Sequence, residues 1–105
     1  MTIKEDTRIF PRDVSFANTH AERTILGAIL WDNESHAEAA KMLTAEDFSL
    51  DSHRRIFLRM TDLMESNHAV DIVTLSDRLE FFKEIDTIGG RAYLFSLTEI
   101  GRAHV

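Results

Sequence analysis

Between positions 52 and 66, Ile56, Phe57, Met60, Leu63 and Met64 recur at steps of one, three and four, while Arg54, Arg55, Arg59, Asp62 and Glu65 fill positions between them. At 100° per residue the first set runs along one side of an α-helix and the second along the other, as in a helix half buried in a core. A strand sends successive side chains to opposite faces and would scatter the same apolar groups. No stretch alternates apolar and polar residues for long enough to compete, and no internal repeat is visible. The sequence therefore predicts an all-α fold, a compact bundle of about five to six short helices.

The other segments carry the same period. Residues 1–15 are polar, lack a sustained period and hold the single proline, Pro11, so they are expected to form a disordered arm. Thr19 stands three residues before Glu22, a capping-box spacing that predicts a helix from about His20. Ile25, Leu26, Ile29 and Leu30 form its apolar stripe, and His20, Thr24, Gly27 and Trp31 recur on another side. A mid-helix glycine costs about 1 kcal/mol relative to alanine, so Gly27 is expected to mark the close approach of another backbone.

After "DNES", Asn33 is placed to cap an alanine-rich helix with Ala37, Ala40 and Leu43 on its inner face. "TAEDF" reads as a turn anchored by Phe48, and "SLDSH" offers capping side chains to the helix over 52–66. Asn67 and His68 form a turn. Asp71 then caps a fourth helix over 72–83, whose inner stripe is Ile72, Leu75, Leu79 and Phe82. Gly89 and Gly90 permit backbone angles closed to other residues, and a fifth helix starting near Arg91 presents Tyr93, Leu94 and Leu97.

Composition bounds the function. A chain of 105 residues, 44% hydrophobic and 29% charged, suits one domain with one core. Cysteine is absent, which excludes disulfides, thiolate catalysis and cysteine-bound zinc, and fits an expected cytoplasmic location. A formal net charge of −6 opposes strong direct binding of nucleic acid, which needs clustered Lys and Arg. The longest apolar run, residues 25–31, is far shorter than the ~20 residues of a membrane span, so no membrane association is expected.

Catalytic signatures are missing. His20, His36, His53, His68 and His104 show no metal-ligand spacing, and His53, bordering the apolar face of its helix, reads as a structural histidine. The carboxylates fall mostly on predicted outer faces, and no phosphate-binding G-x-x-x-x-G-K-[ST] loop occurs. No catalytic residue, metal site or cofactor site is expected in this chain. One feature stands out in "RLEFFKEI". Phe82 continues the stripe of Leu79, while Phe81 is turned about a third of a turn away and is expected to be exposed in a partner-facing patch. Phe81 and Trp31 are the candidate partner-binding residues.

Four stretches in order, "ANTHAERTILGAILWDN" (17–33), "EDFSLDSHRRIF" (46–57), "VDIVTLSDRL" (70–79) and "IGGRAYLFSL" (88–97), resemble the N-terminal domain of the DnaB family of bacterial replicative helicases. The family pattern is met by Ala21, Glu22, Leu26, Gly27 and Leu30, then by Asp47, Phe48, His53, Ile56 and Phe57. Asp71, Val73, Thr74 and Leu75 continue it, followed by Gly89, Gly90, Tyr93, Leu94 and Leu97. "VSFAN" replaces the proline common before the first helix, and Phe81-Phe82 stand where the family often carries charge.

The resemblance implies a scaffold over 16–99 that takes part in DNA replication by helping a hexameric ring to assemble and by docking a primase and a helicase loader. ATP and Mg would belong to a separate RecA-like domain of the parent enzyme. Past Glu99 the resemblance is expected to stop, where the family continues into a helical hairpin. Ile100 to Val105 can be encoded by ATC GGA AGA GCA CAC GTC, which, with AG closing the Glu99 codon, matches a common sequencing-library adapter. Residues 100–105 are accordingly expected to be a non-native tail, frayed or incidentally helical, on a truncated chain that is monomeric or weakly dimeric. The alternative reading is a stand-alone α-helical adaptor or helicase regulator. An enzyme in its own right would need convergent acids, bases or phosphate donors that the sequence does not show.

Overall fold

The computed structural model describes residues 16–103, with side chains from Thr19 onward. The arm over 1–15 and residues 104–105 of the tail lie outside them. Five α-helices are present among the described residues: α1 (Phe16–Trp31), α2 (Glu34–Ala40), α3 (Asp51–Glu65), α4 (Ile72–Phe81) and α5 (Gly90–Ala103). A 3-10 turn over Ala45–Asp47 joins α2 to α3, and no strand occurs among these residues. The core is assembled from the stripes read in the sequence. Leu26 and Ile29 of α1, Ile56 and Met60 of α3, Leu75 and Leu79 of α4, and Leu94 and Leu97 of α5 are fully enclosed.

The most extensive helix pairing is α1 on α5. It depends on Gly27, where a Cβ would stand 2.3 Å from the Leu97 carbonyl oxygen, inside contact distance. The expected backbone approach at Gly27 is therefore present. Its second neighbour is Gly101, whose own Cβ would meet the Gly27 carbonyl oxygen at 2.1 Å. Residues Ile100 to Ala103 continue α5 with Gly101 buried, so this part of the tail is helical and packed where fraying was one expectation.

Two helices stop by the same device. Asn67 (φ 64°) and Lys83 (φ 60°) take left-handed backbone angles just past α3 and α4. The His68 amide then donates to the Leu63 carbonyl at 2.8 Å, and the Glu84 amide donates to Leu79 at 2.7 Å, satisfying carbonyls that the helix ends leave open. At the start of α4, Asp71 accepts from the Thr74 amide at 2.8 Å, as the capping pattern predicts.

Five local readings are corrected, the first being the cap expected from "SLDSH": the N-cap position of α3 is Leu50, with no side-chain cap bond. Helix α1 begins at Phe16, so Thr19 and Glu22 lie within it and form no cap; Glu22 turns inward instead. In α2, Ala37 and Ala40 are exposed, and His36 is buried with Ala39 packed against the core. An imidazole with a hydrogen-bond partner removes more surface from water than a methyl group, so the helix rotates to bury the ring. Asn33 stands at the N-cap position of α2 without a side-chain cap bond. Phe82 leaves the core stripe because α4 ends at Phe81 and the chain reverses at Lys83; its ring is 43% exposed.

Candidate functional site

The interior holds a polar chain that spans three helices. His53 of α3 is fully buried; its Nδ1 lies 2.7 Å from Glu22 Oε1 of α1, and its Nε2 lies 2.6 Å from the Tyr93 hydroxyl of α5. Glu22 Oε2 also accepts from the Ser49 amide at 2.7 Å. An ionised carboxylate only accepts, so Nδ1 carries the proton and donates to Glu22, leaving Nε2 to accept from the Tyr93 O–H. Burial depresses the His53 pKa below its ordinary value, against the opposing pull of Glu22, and Arg23 adds to the depression. Burial likewise raises the Tyr93 pKa. The imidazole is therefore held neutral with both nitrogens occupied, which matches a structural histidine.

Two further ties close the bundle. The Asn33 side chain accepts from the Val70 amide at 2.8 Å and donates to the carbonyls of Val70 (2.8 Å) and Ile29 (3.0 Å), pinning the entry to α4 against the end of α1. His36 stacks on Phe57 with ring centroids 5.4 Å apart, and its Nε2 lies 3.1 Å from the Thr61 hydroxyl. Since that hydroxyl donates to the Phe57 carbonyl, His36 Nε2 is the donor in the pair.

Arg55 and Arg59, read as an outer face, meet the nearly buried Glu84 carboxylate, each at 2.9 Å. The Arg59 guanidinium also lies over the Phe82 ring, 4.0 Å from its centroid. The stem of α3 is thus bound to the turn after α4.

The two candidate docking residues are both on the surface. Trp31 closes α1 at 46% exposure. Phe81 closes α4 at 76% exposure and, with Leu63, His68, Thr74, Asp77 and Arg78, lines an open groove of about 490 Å³ between α4 and the end of α3. Trp31 is not part of that lining.

The Gly89 and Gly90 amides already donate to the carbonyls of Asp86 (3.2 Å) and Ile85 (2.8 Å), and Arg91 pairs with Glu80 at 3.2 Å. Among the described residues no group of three or more His, Asp or Glu is placed to hold a metal ion. None of the described helices is long and apolar enough to cross a membrane.

The sequence profile of the DnaB-like helicase N terminal domain matches residues 14–102. The chain belongs to that family. The DnaB relatives include the replicative DNA helicase DnaB of Treponema pallidum, 38% identical over 82 residues, which are 78% of this chain and 19% of that protein. The replicative DNA helicase DnaB of Haemophilus influenzae is 36% identical over 81 residues, covering 77% of the chain and 17% of the relative. The chain thus spans about a fifth of the length of these DnaB relatives. The crystal structure of the N-terminal domain of DnaB helicase from Mycobacterium tuberculosis superposes with a TM-score of 0.74 at 26% identity, over 75% of this chain and 57% of that one.

Within this DnaB-type domain, the buried Glu22–His53–Tyr93 chain was not assembled by sequence reasoning, although each member was singled out separately. A signal was present: each is a polar group beside the inward stripe of its own helix, at Leu26, Ile56 and Leu94. The run Val73, Asp77, Phe81, spaced by four along α4, was also passed over.

Proposed function

We propose that this chain is the passive scaffold of a replicative DNA helicase, serving ring assembly and partner docking, and that it does not itself hydrolyse ATP. On this reading duplex unwinding, with ATP and Mg, belongs to a separate motor domain, and the natural partners are other helicase subunits, primase and the helicase loader. The observation that carries the reading is the family match over residues 14–102. It is supported by buried Glu22 and His53 and by Tyr93 and Asn33, whose side chains tie helices together, and by a groove at Phe81 left open to solvent.

Sedimentation equilibrium and an ATP-turnover assay on the 105-residue chain test it. A monomer or weak dimer without turnover is expected; a stable hexamer contradicts the assembly expectation, and turnover overturns the scaffold reading. Titration with a bacterial replicative primase tests docking, with binding expected to weaken in Phe81→Ala.

A further inference from the structure

Resting on the docking reading above, we infer that the α4 groove is built for a helical segment of a partner protein that carries a Lys or Arg between two apolar side chains. Val73, Asp77 and Phe81 are spaced at i, i+4 and i+8 and form one ridge along the outer side of α4. Val73 is 67% and Phe81 76% exposed, so the ridge offers an apolar group at each end. Asp77 sits between them, exposed, and its carboxylate makes no hydrogen bond or ion pair with the described residues. Leu63 of α3 supplies an apolar floor, and the groove is long enough along α4, from Thr74 to Phe81, to accept about two turns of a helix.

Charge selects the occupant. With Glu80 already paired to Arg91, residues 65–81 still carry Glu65, Asp71 and Asp77 against the single Arg78, a formal charge of −2. The groove also abuts the C-terminal end of α3, where the helix dipole favours a cation. A nucleic acid strand or an anionic lipid surface is repelled by this field, whereas a basic apolar helix finds both its ridge and its counter-charge. Arg78, which also lines the groove, leaves room for an acidic residue on the flank of the partner helix.

Two synthetic helical peptides decide the matter, with leucine at positions i and i+8 and either lysine or glutamate at i+4. The lysine peptide is expected to shift the NMR amide signals of Leu63, Thr74, Asp77 and Arg78, while the glutamate peptide at the same concentration leaves them in place. Asp77→Lys should weaken the lysine peptide about ten-fold and admit the glutamate peptide, and Phe81→Ala should weaken the lysine peptide about ten-fold. Both positions are exposed, and unchanged circular dichroism and melting temperature confirm that the variants fold. Equal affinity for the two peptides, shifts elsewhere on the surface, or self-association of the chain through this ridge would overturn the inference. If a primase docks at α4 while the two peptides bind alike, the docking reading stands and the partner chemistry proposed here falls.

Discussion

Glu22 and Asp77 are both carboxylates on amphipathic helices with an aromatic residue nearby, and the fold treats them in opposite ways. Glu22 is nearly buried and accepts hydrogen bonds from His53 and from the Ser49 amide, with Tyr93 completing the chain. Asp77 stays exposed beside Phe81 without a partner among the described residues. The difference lies in what packs against each helix. Helices α3 and α5 close over the inner side of α1, so the Glu22 carboxylate there finds its donors inside the fold. Nothing among the described elements covers the outer side of α4. The closed seam ties helices together, and the open ridge faces solvent.

The sharpest way to break this comparison is His53→Ala. It removes a fully buried ring and strips Glu22 and Tyr93 of their partner, which should lower unfolding stability by about 3 kcal/mol in urea titration. A loss below about 1 kcal/mol, the ordinary effect of a substitution, would mean that the seam does not act as a tie. Next comes Gly27→Ala. The added methyl group collides with the Leu97 carbonyl, and overpacking of about 1–3 kcal/mol outweighs the gain of about 1 kcal/mol in helix propensity. A raised melting temperature would show that α1 and α5 can separate without cost.

Acid titration sharpens the contrast further. Burial lowers the pKa of His53, against Glu22, and that of His36, against Glu65, from 6.5. Below pH 6.5 the unfolded chain takes up these protons while the folded chain does not, so stability should fall as the pH drops, until the folded-state values are passed. Urea midpoints measured between pH 7.5 and 5, in the parent chain and in His36→Gln, separate the two contributions; a flat profile in the parent chain would contradict neutral burial. The smallest effects belong to the ridge. Asp77→Ala and Phe81→Ser should each change stability by no more than about 0.5 kcal/mol, because neither side chain is part of the core. A large loss at either position would make the ridge structural.

Much of the fold was legible in the sequence because its signals are local. The stripe of α3, the cap at Asp71 and the exposure of Phe81 each depend on neighbours within about two helical turns. The misreadings arose where a side chain had a distant partner. The spacing of Thr19 and Glu22 suits a capping box, yet the carboxylate bonds to a histidine 31 positions away. Asn33 suits a cap, yet its amide serves Val70, 37 positions away. Phe82 suits the stripe until Lys83 reverses the chain and brings the ring under Arg59.

By itself, the sequence determined the all-α fold class and the core stripes of α1, α3 and α5, since backbone period and side-chain hydropathy act over a few residues. Only the tertiary structure decided how far α1 extends, which face of α2 turns inward, which carboxylates are enclosed and which ridge stays open. Those choices turn on contacts between groups far apart along the chain, where an enclosed charge must find donors and an uncovered one remains in water.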